Sequence, residues 1–288
     1  MDPMFRTRVN EQISRLTTLP LSGIEAQVAA KRRRWLDRHP RPPGARPTPR
    51  AAFDALFFEY LGLAAGDLRV LREDEDTIVW RSTNACPTLE ACSHLGLDTR
   101  VVCRAAYEKS TQAFVSRIDP RLRFLRDYQT IRPRRDSCQE RIVRVDFEQM
   151  MRVAIREARE SRREGNKGYG AVIALGDEII ATAHDTAVTD RDPSRHAEVN
   201  AVRAAIARLD ETDLCGCVLF STCEPCPMCS SLAVWANLSA VVFGASIAET
   251  SARGKARITI PAAEVVARSP VLMEVHSGVL ASACLALY

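Results

Sequence analysis

His196, Cys226 and Cys229 constrain this 288-residue chain most, because one metal ion held by all three would force two distant segments together. The interval between them has room for one helix and one strand. A histidine and two cysteines leave the fourth position of a tetrahedral zinc open to water, which marks a catalytic rather than a structural site. Glu198, two residues past the histidine, is placed beside that water as a proton carrier. Taken singly, His196 reads as an ordinary packed or surface histidine. Cys226 and Cys229 alone read equally as half of a structural zinc knuckle or as a redox pair. Combined with Glu198, the three favour catalysis. Cys223 offers a fourth ligand, but its place at a strand end favours packing without ligation.

The residues around the cluster place the ligands at two helix starts. Asp192-Pro193-Ser194 supplies turn and capping residues before His196, and Pro225-Cys226 opens the next helix. Cys226 and Cys229 are three apart and share one helix face, where the positive helix end favours thiolate. Apolar spacing predicts a helix over 147–163, strands over 171–175 and 178–184 around Gly176-Asp177, and a helix over 196–209. A strand over 217–221, a helix over 226–237 and a strand over 240–244 follow. Strand and helix alternating in this way imply a sheet covered by helices.

The first half is organised differently. Residues 8–36 have helical periodicity and end in Lys31-Arg32-Arg33-Arg34, which reads as a solvated helix end rather than a nucleic-acid or membrane contact. Five prolines and three arginines between 40 and 50 then suggest a linker. The division expected is a basic leader and linker over 1–50, a separate cysteine-containing α+β domain over 51–144, and an α/β domain over 145–288. Within 51–144, helices are expected over 51–62, 86–95 and 98–115, with strands over 77–81 and 123–131. Residues 1–50 carry 11 Lys/Arg against 4 Asp/Glu, so a whole-chain charge of +4 leaves the remainder net acidic. That weighs against a broad cationic surface for nucleic acid. No run reaches the ~18 apolar residues of a membrane span, and the N-terminus lacks a secretory stretch. A cytoplasmic protein is expected, in which most of the ten cysteines are reduced.

The pattern H-x-E…P-C-x-x-C is a signature of zinc-dependent nucleobase deaminases. Asp192-Pro193-x-x-His196-Ala197-Glu198-Val199 and Ser221-x-Cys223-Glu224-Pro225-Cys226-Pro227-Met228-Cys229 resemble the cytidine-deaminase-like superfamily, in its guanine deaminase and tRNA-adenosine deaminase branch. Val242-Phe243-Gly244-Ala245 and Gly278-Val279-Leu280-x-x-x-Cys284 extend the likeness over roughly half the chain. It implies a three-layer α/β/α fold with a five-stranded mixed sheet, one Zn2+ per chain, and a homodimer. The same resemblance implies hydrolytic removal of an amino group from a heterocycle, with Glu198 moving protons and the backbone N–H groups of Ala197 and Cys226 orienting water and intermediate. The N-terminal half faintly resembles domains of the aminothiazoline-carboxylate hydrolase type, through Cys86-Pro87, Cys92, Cys103 and Cys138. Buried thiols, a second ligand pocket or a catalytic cysteine would each account for these cysteines.

The departures from the branch bear on substrate. Eleven residues before His196, where the family places a substrate-binding asparagine, this chain has Asp185. Ionised aspartate only accepts hydrogen bonds, so a ligand there should present N–H or O–H donors or positive charge. The alternative is a shifted loop that leaves Asp185 as a surface turn residue. Gly168-Tyr169-Gly170-Ala171 stands where the branch has Pro-Phe/Val-Gly-Ala. Tyr169 and Trp235 are candidates to border the ring pocket, although Trp235 fits a packed core position better, and the terminal Tyr288 carries little weight. The preferred substrate is a free guanine-like purine or related amino-heterocycle. Adenosine in tRNA is the second choice, and an inactive zinc-bound scaffold comes last.

Overall fold

A computed structural model describes residues 3–40, 47–254 and 258–288, and the chain divides between Val145 and Asp146. In the first unit, α1 (Pro3–Thr18) and α2 (Leu21–Arg38) precede α3 (Pro49–Phe53), which runs on as a π-helix over Asp54–Tyr60. Strands β1 (Leu68–Glu73) and β2 (Thr77–Ser82) follow, then α4 (Pro87–Leu95) and α5 (Thr99–Cys103). A π-helical stretch over Arg104–Glu108 leads into α6 (Lys109–Ile118), and β3 (Leu122–Arg126) and β4 (Cys138–Arg144) complete the unit. The strands form an antiparallel sheet in the order β1-β2-β4-β3. Its core centres on Trp80, against which Phe53 and Phe57 pack edge-on at 4.8 and 5.0 Å. The Trp80 indole N–H and the Ser82 hydroxyl both donate to buried Glu140 Oε2 at 3.0 Å, so these two donors are satisfied on entering the core.

Three expectations for this unit need correction. The segment over 1–50 is not a leader standing apart from a domain that begins at 51. Ile24, Glu25, Ala29, Arg32 and Leu36 recur at helical spacing and are all buried, which docks α2 into the unit. Arg32 Nη1 donates to Ser110 and Thr111, and Tyr107 Oη donates to Gln12 of α1 at 2.7 Å. Consequently the Lys31–Arg34 run is solvated at Lys31, Arg33 and Arg34, but Arg32 points inward. Of the expected linker, residues 41–46 lie outside the described residues. The strand expected over 123–131 stops at Arg126. β1 and β4 were not anticipated, because β1 buries only Leu68 and β4 interleaves Gln139 and Arg141 with its buried positions.

The second unit follows the alternation read from its apolar spacing. Asp146 caps α7 (Phe147–Arg163) by accepting the Gln149 N–H at 3.0 Å. After it come β5 (Gly170–Leu175), β6 (Glu178–His184), α8 (Ala197–Leu209), β7 (Cys217–Cys223), α9 (Pro227–Trp235) and β8 (Ala240–Ala245). Two short helices, α10 (Ile247–Ser251) and α11 (Ala262–Ala267), precede β9 (Glu274–His276) and α12 (Ala281–Leu285). The sheet order is β6-β5-β7-β8-β9, with β6, β5 and β7 antiparallel and β7, β8 and β9 parallel. It is a five-stranded mixed sheet.

Strand alternation sends Ala171, Ile173, Leu219, Val241 and Phe243 towards α8 and α9. The opposite face carries Phe220, whose ring meets Phe147 of α7 at 5.3 Å. Three layers result. The contact between α7 and β5 is so close that a Cβ at Gly170 would lie 2.0 Å from the Ala154 carbonyl oxygen. No helix among the described residues is long and apolar enough to cross a membrane.

Candidate active site

The three ligand candidates converge because two helices begin at adjacent points on one side of the second unit's sheet. His196 is the N-cap of α8 and Cys226 the N-cap of α9, each in extended backbone conformation. Cys229 lies at the third position of α9, on the same face as Cys226. His196 Nδ1 is 3.7 Å from Cys226 Sγ and 3.5 Å from Cys229 Sγ, and the two sulfurs are 3.6 Å apart. Tetrahedral zinc, with Zn–S of ~2.3 Å and Zn–N of ~2.0 Å, would hold such atoms roughly 3.5–3.8 Å apart. The triangle fits that ion in both spacing and donor type. Among the described residues no other trio of metal-ligating side chains converges so closely.

Hydrogen bonding within the triangle shifts its protons. The Cys229 thiol and His196 hold the Cys226 thiol down to about 4, which makes it the thiolate of the pair. The contact with Cys226 raises the proton affinity of His196, and Asp185 adds to that effect. Buried Glu198 stands against the triangle, with Oε1 accepting from Ser221 Oγ at 3.1 Å and Oε2 3.5 Å from Cys229 Sγ. Burial pushes its carboxyl up from the ordinary value, and the Ser221 hydroxyl offsets this in part.

The remaining candidates separate clearly. Asp185, just past the end of β6, is 0% exposed, which rules out a surface turn. Its Oδ1 accepts from the Ala187 N–H at 3.3 Å and its carbonyl from Ser161 Oγ at 2.8 Å, while Oδ2 is buried without a partner. The Asp185 N–H donates to the Tyr169 carbonyl at 2.9 Å, tying the two candidates together. Tyr169 packs its ring on Tyr288 at 4.9 Å, and Tyr288 Oη is 2.8 Å from Thr222 Oγ1, so the terminal tyrosine has a larger structural part than its position suggested. Ala197 is buried at the first position of α8. Trp235 is 86% exposed, which overturns its core assignment. The buried side of α9 runs through Cys229, Ser230 and Ala233, and Trp235 falls on the opposite side. Cys223 is buried with Sγ 3.8 Å from Thr250 Oγ1 and stays outside the triangle.

Sequence reasoning missed two residues. Ser221, quoted only as part of the motif, orients Glu198. Glu224 lies within the cysteine cluster but performs a different task. Its Oε2 accepts the Ile247 N–H at 2.8 Å and its Oε1 the Ala262 N–H at 2.9 Å, so one carboxylate closes the N-termini of α10 and α11. A carboxylate beside two helix starts has no periodic signal by which a sequence could reveal it.

With this geometry established, residues 145–245 match the cytidine and deoxycytidylate deaminase zinc-binding region. The chain belongs to that family. It is 36% identical over 111 residues to the guanine deaminase of Bacillus subtilis, covering 38% of this chain and 71% of that relative. To the tRNA-specific adenosine deaminase of Aquifex aeolicus it is 40% identical over 98 residues, covering 34% of this chain and 65% of the relative. The chain thus spans about two thirds of the length of these curated relatives. A solved guanine deaminase from Nitrosomonas europaea aligns with 49% of this chain and 81% of its own at 26% identity, with a TM-score of 0.44.

Proposed function

We propose that the second unit is a zinc-dependent hydrolytic deaminase that exchanges an exocyclic amino group of a free, guanine-like purine or related amino-heterocycle for oxygen and releases ammonia. The observation that carries this is the His196–Cys226–Cys229 triangle with buried Glu198 against it. Those three residues would hold one zinc ion, which when bound supplies a water acidic enough to ionise near neutral pH. Ser221 fixes Oε1 of Glu198, so the carboxylate is oriented before substrate arrives. Glu198 accepts the water's proton and returns protons to the ring nitrogen and the departing amine. The N–H groups of Ala197 and Cys226 orient the water and the addition intermediate. Asp185 accepts a substrate N–H through Oδ2, and Tyr169 borders the ring.

Asp185 is also what favours a free base over tRNA. A carboxylate at the pocket repels a phosphate backbone, and residues from 51 onward carry no net positive charge to offset this. The likeness to a tRNA-specific adenosine deaminase keeps adenosine in a tRNA anticodon stem-loop as the second substrate to assay. The test is an ammonia-release screen over free nucleobases, nucleosides, pterins, triazines and that stem-loop, with Glu198→Ala as the blank. Release from guanine or a related small heterocycle, lost in Glu198→Ala, is expected. Release confined to the stem-loop would transfer the activity to tRNA, and no Glu198-dependent release at all would overturn the assignment.

We also propose that the protein works as a homodimer. Met228 and Trp235 are exposed seven residues apart along one side of α9, an apolar strip that a second copy would cover. Light scattering should give twice the chain mass, and Trp235→Asp should shift it towards the monomer.

A further inference from the structure

The first unit has a cavity of its own, about 560 Å3, lined from α1, α2, β2, the start of α4 and the helical run over 99–111. That volume suits a small organic molecule. Six cationic side chains line it against two carboxylates, Glu11 and Glu140. Glu140 is already paired with Arg126 at 2.6 Å, which neutralises that arginine. Arg132 donates instead to the Asn84 carbonyl, and Arg32 to the hydroxyls of Ser110 and Thr111, all uncharged groups. Neither of these two guanidinium groups is paired with a carboxylate.

Arg32 is the more telling of the two. It is 7% exposed and occupies a core-facing position in the buried stripe of α2, where helical spacing calls for an apolar residue. Its Nε is buried and has no hydrogen-bond partner. Burial without a counter-charge lowers its pKa to about 10, so the folded state holds this cation at a cost. The guanidinium lies over the Tyr60 ring, 6.0 Å from its centroid, but its hydroxyl partners do not depend on it. Ser110 and Thr111 each donate their hydroxyl proton to the Tyr107 carbonyl, at 2.9 and 2.7 Å, so both donors stay satisfied without Arg32. Trp35 and Tyr60 supply aromatic walls to the same cavity.

We propose that this cavity binds a small organic anion, with its carboxylate or phosphate on Arg32 and its ring or apolar part against Trp35 and Tyr60. The assignment is independent of the activity proposed for the second unit. Calorimetric titration of the full chain with benzoate and with phenyl phosphate tests it, with benzamide as the uncharged match to benzoate. Binding of at least one anion at sub-millimolar concentration is expected, ten-fold or more tighter than benzamide, and the stronger of the two identifies the oxyanion. Arg32→Met should weaken that binding at least ten-fold while raising the melting temperature of the ligand-free chain, because it removes a buried unpaired charge. A merely structural Arg32 would do the reverse, lowering the melting temperature with no anion binding to lose. If neither anion binds the wild-type chain better than benzamide, the proposal fails whatever the variant does.

Discussion

Replacing Asp185 by asparagine tests the substrate assignment with almost no change in shape. The side chain is fully buried, so the substitution swaps a carboxylate oxygen for an amide without altering volume. Oδ1 still accepts the Ala187 N–H, and the backbone bonds to Ser161 and Tyr169 are untouched. What changes is Oδ2, which has no partner within the protein and which, in the function proposed above, accepts from the substrate. A hydrogen bond to a charged acceptor contributes about 1.5–3 kcal/mol, and an amide nitrogen facing a substrate N–H forfeits it. Asp185→Asn should then lower kcat/KM for the substrate found in the ammonia screen by about 10- to 150-fold. The assay is steady-state ammonia release by both proteins at equal zinc content, with thermal melts run in parallel. The melting temperature should move little. A kcat/KM within two-fold of wild type would refute the reasoning, since Oδ2 would then face nothing in the reaction.

Three further outcomes follow from packing and charge. Gly170→Ala would place a methyl 2.0 Å from the Ala154 carbonyl oxygen and 2.5 Å from the Ala158 nitrogen, forcing α7 off the sheet. Urea unfolding should show a loss of about 3 kcal/mol, at the upper end for overpacking. Glu224→Ala leaves two buried N–H groups without acceptors and should cost roughly 2–5 kcal/mol in the same measurement. Glu224→Gln should rescue only part of that, because an amide can accept one of those N–H groups but turns its NH2 on the other. In the first unit, burial raises the Glu25 carboxyl from 4.5 to about 7 despite nearby Lys109. An acid whose folded pKa is raised stabilises the fold below the unfolded value, so stability should fall as pH rises from 4.5 to 7 and level off above. The drop is on the order of 3 kcal/mol, and Glu25→Gln should abolish the slope in denaturation followed by the fluorescence of buried Trp80.

How much was legible in the sequence differs between the two units for physical reasons. In the second, a buried sheet and amphipathic covering helices write strong periods, so α7, β5, β6, α8, β7, α9 and β8 were each anticipated to within a few residues. The metal triangle was legible because ligand chemistry allows few residue types at few spacings. The fifth strand is only Glu274–His276, too short for any period to register. Trp235 was misplaced because a large aromatic side chain normally signals burial, and only the packed face of α9 shows that it points out. In the first unit, β1 is almost wholly exposed and β4 runs Gln139-Glu140-Arg141 before Ile142-Val143 with no apolar alternation, so neither resembles a core strand. Arg32 was hidden inside a basic run, where composition suggested solvent and only the helical phase of Ile24, Ala29 and Leu36 pointed to the interior.

The part played by Glu224 alters how chains of this kind should be sorted. A copy released from selection for catalysis would be free to change Glu198, whose proposed part is proton transfer. It would not be free to change Glu224, because two helix starts depend on that carboxylate for their fold. Retention of Glu224 in a divergent paralogue therefore reports an intact scaffold, and Glu198 with its Ser221 partner is the pair to inspect when deciding whether the copy is still an enzyme.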